Sequence, residues 1–115
     1  MGFMIVSTYP DKKSIIKVAN IVVKKKLAAC VNYVQINSIY NWKGKIENND
    51  EFLALFKTTH RAKKNLKEEI TRSHPYQVPE IVEFRMDNIN LPYLRWLENS
   101  TLDGIPKKRN NSSKR

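Results

Sequence analysis

The sequence predicts an α+β fold, one four-stranded antiparallel sheet with helices packed against it. Three observations carry the prediction. Residues 28–39 and 81–86 place apolar and polar side chains in period-two order, as half-buried strands do. Residues from Lys12 and from Ala62 instead repeat apolar side chains at three- and four-residue spacing, the mark of amphipathic helices. Along the chain these patterns run strand, helix, strand, strand, helix, strand. With 115 residues there is room for one domain, and 41% hydrophobic residues suffice for an ordinary core.

Phe3 to Thr8 is a short apolar run with β-branched residues and reads as the first strand. Pro10 and Asp11 break it, and Asp11 or Ser14 is placed to cap a helix. That helix spans Lys12 to Leu27, with Ile15, Val18, Ala19, Val22 and Val23 on one stripe and lysines opposite. Ala28 to Ile39 forms a second strand, with a kink expected at Asn37-Ser38 before it resumes through Tyr40 and Trp42. Gly44 and the polar run Glu47 to Asp50 are expected to form the turn, and Phe52 to Lys57 the returning strand. Thr58 or Thr59 is the expected cap of a second helix carrying Ala62, Leu66 and Ile70, which His74-Pro75 ends. Ile81 to Met86 is the fourth strand. A terminal helix from Pro92 to Glu98 turns Leu94 and Leu97 inward. This is the order of a ferredoxin-like βαββαβ sandwich with an additional C-terminal helix.

The charge is +10, from 21 basic and 11 acidic residues. Five of the basic residues lie in 107–115, KKRNNSSKR, which has no apolar residue. The expected division is therefore a domain over 1–106, with 16 basic against 11 acidic residues, and a basic disordered tail over 107–115. Lys24 to Lys26 complement the end of a helix, and Lys63, Lys64 and Lys67 stand among acids on a solvent face. Neither cluster calls for a polyanion. The single cysteine, Cys30, excludes an intrachain disulfide framework and points to a reducing, cytoplasmic location. No apolar run approaches the roughly 18 residues of a membrane span, and the opening MGFMIVSTYPD reads as a strand and not as a signal peptide.

Catalytic chemistry finds little support. Cys30, among Ala28, Ala29 and Val31, reads as a structural residue, and no nucleophile elbow or phosphate loop occurs among Gly2, Gly44 and Gly104. The expectation is a protein with no catalytic residues and no cofactor site. RNA recognition through the sheet is disfavoured because Ala54 stands between Phe52 and Phe56, where the RNA-recognition pattern places a stacking aromatic. The basic tail keeps a nucleic-acid-binding module as an alternative. A sheet covered on one face leaves the other open, and Tyr33, Tyr40, Trp42, Phe84 and Trp96 are the candidates for an interface that closes it. For metal, His74 is the candidate ligand, with Glu80 nearby in sequence; His60 reads as a surface or capping residue. An imidazole and a carboxylate suit Cu(II) or Zn(II) but do not complete a site from one chain.

Five strings occur in order: Leu27 to Asn32, Ser38 to Glu47, Lys57-Thr58-Thr59, His74-Pro75-Tyr76 with Val78 to Ile81, and Tyr93 to Leu97. Together they closely resemble the CutA divalent-cation tolerance family, over about Phe3 to Asn99. The resemblance implies a PII-like homotrimer, a cytoplasmic location, and a role in tolerance of copper and other divalent cations, with no catalytic reaction. In bacterial members, proposed metal sites use a cysteine on the first strand and histidines before the Pro-Tyr pair. Here Ser7 and Ser73 occupy those positions, leaving His74, with Glu80, to bind Cu(II) or another divalent cation between subunits. A PII-like adaptor taking a small anion beside Lys57 and Arg95 is the further alternative.

Overall fold

The computed structural model describes residues 1–101 and orders seven elements: β1 (Gly2–Tyr9), α1 (Lys12–Lys24), β2 (Cys30–Trp42), β3 (Lys45–Thr59), α2 (Lys63–Ser73), β4 (Val82–Met86) and α3 (Leu91–Asn99). The expected tail over 107–115, and the end of the expected domain, lie outside the described residues. The strands form one sheet in the order β2-β3-β1-β4, with every neighbouring pair antiparallel. This is the ferredoxin-like arrangement, with the first and third strands at the centre.

Helix α1 forms as its pattern predicts. The Asp11 carboxylate accepts a hydrogen bond from the Ser14 amide at 2.7 Å, so Asp11 and not Ser14 is the cap. Ile15, Val18 and Val22 are buried, whereas Val23, at the rim of the stripe, is 42% exposed. The helix closes three residues earlier than expected because Lys26 adopts a positive φ of 59°, turning the chain toward β2. Helix α2 buries Ala62, Leu66 and Ile70, but its cap is Ala62, without a side-chain bond. Thr58 and Thr59 belong to β3 instead. The Thr58 hydroxyl donates to the Leu27 carbonyl at 2.7 Å, and Thr59 meets the Thr101 hydroxyl at 3.2 Å. Long-range partners outcompeted the local cap.

The hairpin also differs from expectation. Strand β2 runs through Asn37-Ser38 without a break, and the turn is only Lys43-Gly44, with φ of 52° and 78°. Two successive positive φ values suit the twist of a two-residue hairpin turn. The polar run Glu47 to Asp50 is strand, not turn. It pairs with β2, where Asn37 donates to Asp50 at 3.1 Å and Asn49 to the Tyr40 hydroxyl at 2.9 Å.

Register divides the sheet into two faces. Ile5, Phe56 and Val31 stand opposite one another and pack under α1 and α2, in a core that also holds Tyr9, Ala54, Leu66 and Ile70. Phe52 and Phe56 thus face the helices, unavailable for stacking bases. The opposite face carries Val6, Leu55 and Val82 in one row and Met4 with Phe84 in the next. Helix α3 covers the Gly2 end of this second face. A Cβ on Gly2 would lie 2.6 Å from Ile89 and 3.0 Å from Leu97, so glycine permits the close approach. The rest stays open, with Val34 and Phe84 about half exposed.

Five of the lysines and arginines among the described residues form ion pairs, at Lys25, Lys63, Lys67, Arg72 and Arg85. Glu69, nearly buried, accepts from Lys25 and Arg72, each at 2.8 Å. Glu83 accepts from Lys63 and Lys67 at 2.8 and 2.7 Å. These bonds hold both carboxyls below the usual carboxylate range.

Candidate functional site

Pro75 restricts His74 to extended backbone, ψ 134°, and so ends α2. The turn folds the imidazole back onto β1, stacked on Tyr9 with centroids 4.3 Å apart. Its Nε2 lies 2.9 Å from the Thr8 carbonyl and 3.1 Å from the Ser7 hydroxyl, and Nδ1 accepts from the Tyr76 amide at 3.1 Å. An amide can only donate and a carbonyl only accept. The ring is therefore neutral, protonated on Nε2, with its Nδ1 lone pair engaged. Burial pushes its pKa below 6.5, against the opposing pull of the Thr8 carbonyl and Glu51.

This environment has a pH consequence. An unfolded imidazole takes up its proton near 6.5, the folded one at lower pH, so between those values the unfolded chain holds more protons. Stability is thus expected to fall as pH drops below about 6.5, and His74→Gln to flatten that slope. Urea denaturation at several pH values checks this. The contribution of Glu69, a depressed carboxyl, is present above 4.5 and is lost only on further acidification, so the two windows separate.

The loop after His74 brings Tyr76 against the base of the hairpin, where its hydroxyl donates to Glu51 Oε2 at 2.5 Å. Burial first, and then the Glu51 carboxylate, raise the Tyr76 pKa, so the phenol stays a donor. Glu51 is only 6% exposed and, among the described residues, no lysine or arginine pairs with it. Sequence reading missed Glu51, which borders a polar run. Its signal was period two: Glu51, Leu53 and Leu55 alternate onto one sheet face.

Beside Glu51 lies a cavity of about 550 Å³ between the base of the hairpin and the loop over 76–80. Ile39, Tyr40, Trp42 and Val78 form its apolar wall, and Glu51 and Glu80 its acidic end. Neither Lys57 nor Arg95 lines it, which removes the basis for an anion there. Lys57 instead lies over the Tyr93 ring, 5.9 Å from its centroid.

The two expected metal ligands are thus separated in role. Glu80 is exposed at the cavity, whereas His74 is half buried and committed to Tyr76 and Thr8. Among the described residues no three His, Cys, Asp or Glu side chains are grouped to hold a metal ion. The described residues of one chain do not by themselves supply the three or four donors of a resident divalent cation. Ser7, at the first-strand position, meets His74 through a hydroxyl instead of a thiolate. The interface candidates also scatter: Phe84 lies on the open face, Tyr33 on the helix face against Phe52, Tyr40 and Trp42 on the hairpin, and Trp96 on α3 beside Tyr93. Among the described residues no helix is long and apolar enough to cross a membrane.

Comparison with known proteins agrees with this fold. A relative from Thermotoga maritima, Divalent-cation tolerance protein CutA, is 36% identical over 99 residues, covering 86% of this chain and 98% of its own. Protein CutA, chloroplastic, from Arabidopsis thaliana is 40% identical over 95 residues, and the chain spans about half of its length, 52%. The crystal structure of CutA1 from Pyrococcus horikoshii superposes with a TM-score of 0.83 at 37% identity, over 86% of this chain and 97% of that one. The family model described as CutA1 divalent ion tolerance protein matches residues 3–100, and the chain belongs to that family.

Proposed function

We propose that the chain serves divalent-cation tolerance as a non-enzymatic, cytoplasmic homotrimer whose long hairpin braces a neighbouring subunit. The distal half of the hairpin supports this reading. Strand β1 pairs with β3 only from Phe52 onward, so residues 45–51 pair with β2 alone and form a two-stranded ribbon beyond the sheet. Such ribbons are marginal in water. This one exposes Ile39 by 70% and Ile46 by 72%, beside Tyr40 and Trp42. A neighbour's open sheet face, with Val34, Val82 and Phe84, offers the missing contact. A hairpin seated on a different surface of the next copy is a heterologous contact, which forms a ring where its rotation closes and a filament where it does not, and three is the smallest such ring. Light scattering is expected to return three times 13.5 kDa; a stable monomer would refute the assembly.

The same reading holds divalent cations weakly, with ligands gathered from more than one subunit. Glu80 is the accessible donor, and His74 joins it only by releasing the Tyr76 amide. In Cu(II) titrations, Glu80→Gln is expected to bind measurably more weakly than the parent, and His74→Gln to change little. The reverse order would restore His74 as the principal ligand. Cys30, the single cysteine of the sequence, leaves no partner for an intrachain disulfide and supports a reducing compartment.

A further inference from the structure

We infer that the cavity between the hairpin base and the loop over 76–80 is a binding site for a small organic cation with an apolar body. Glu51 is the starting observation. It is a carboxylate 94% removed from solvent, from its 6% exposure, and it faces a cavity instead of a lysine or arginine. The Tyr76 hydroxyl satisfies Oε2 but brings no positive charge. A buried carboxylate so placed favours a cation that it and Glu80 together attract. The chain carries +10 overall, yet the carboxylates Glu51 and Glu80 line this cavity and no lysine, arginine or histidine does. The remaining walls choose among cations. A divalent ion needs several oxygen or nitrogen donors converging at short range, and among the described residues no such group exists. An alkylammonium or aryl-ammonium ion needs only diffuse negative charge and aromatic faces. Tyr40 and Trp42 supply such faces, with Ile39 and Val78 to bury the hydrocarbon. The volume, about 550 Å³, is that of a small-molecule site.

Lys43 does not line the cavity but competes for one of its rings. Its ammonium lies 5.6 Å from the Trp42 ring centroid, so a ligand cation reaches that ring against an internal rival, and modest affinity is expected. Every group it uses belongs to one chain, but Ile39, Tyr40 and Trp42 also lie on the hairpin proposed to brace a neighbour, so the inference rests on an assembly that leaves their cavity side open.

Benzyltrimethylammonium is the probe, with benzyl alcohol as the neutral control and benzoate as the anionic one, titrated calorimetrically into the full chain. Saturable binding of the ammonium alone is expected, weakened about tenfold by Glu51→Gln and comparably by Trp42→Leu. Should Glu51→Gln misfold by circular dichroism, the exposed Glu80→Gln decides the point, again with about tenfold weaker binding expected. Equal binding of benzoate, affinity unchanged in Glu80→Gln and Trp42→Leu, or no saturable ammonium binding would overturn the inference. Zn(II) is titrated in parallel; tight Zn(II) binding lost in Glu51→Gln, with none of the ammonium, would assign the cavity to metal and overturn it too. Light scattering on the same samples reports the assembly separately, so either idea can fail alone.

Discussion

Phe56→Ala is expected to destabilise the protein by about 3–5 kcal/mol, the range for deleting a fully buried aromatic side chain. Phe56 is wholly buried on a central strand, opposite Ile5 and Val31 and beside Tyr9, with ring centroids 6.4 Å apart. Strands on both sides and helices above restrict collapse into the space it leaves. Since small domains are stable by only about 5–15 kcal/mol, this loss alone brings the chain near its unfolding threshold. Urea denaturation measures it, with Phe84→Ala as the paired control. Phe84 is 49% exposed on the face opposite α1 and α2, so in a dissociated subunit its truncation should cost well under half as much. Equal losses would mean that the two faces are assigned wrongly.

Val34→Asp combined with Phe84→Asp is expected to convert the assembly into folded monomers. Both residues lie on the face opposite α1 and α2 and are about half exposed in one subunit, so a charge at either remains hydrated in the monomer. In an assembly that buries this face, each carboxylate would lose its water without gaining a cation, at a cost of several kcal/mol per charge. Light scattering should then show one subunit's mass, with circular dichroism retaining the αβ signature. A trimer surviving both charges would place the interface elsewhere. The contrast with Phe56 follows from one register: the same sheet buries one row against its own helices and leaves the next uncovered.

Much of this arrangement was legible where apolar spacing was regular. The stripe Ile15, Val18, Val22 specified α1, and Ala62, Leu66, Ile70 specified the buried side of α2, because local periodicity and burial agree there. The hairpin was misread where polar residues were taken for a turn. Glu47 to Asp50 extend as strand because β2 supplies their backbone partners, and no local preference reports a partner that distant. Thr58 and Thr59 misled in the opposite sense. They resemble caps, but the Leu27 carbonyl and the Thr101 hydroxyl claim their side chains from 31 and 42 residues away.

At the site, the sequence could name His74 as the residue that ends a helix, because Pro75 imposes that locally. It could not show that both ring nitrogens are engaged by Thr8 and Tyr76, so that the imidazole ties the loop after α2 to β1. Nor could it show that Tyr76 reaches Glu51 across 25 positions and walls off an acidic cavity. By itself the sequence determined the elements, their order and the family, since these follow from short-range spacing and from strings of residues read directly. The tertiary structure alone decided which carboxylates lie buried, which lone pairs are free, and which apolar rows remain uncovered. Those depend on contacts between distant segments, and a chain's local pattern carries no record of what will face it across a sheet.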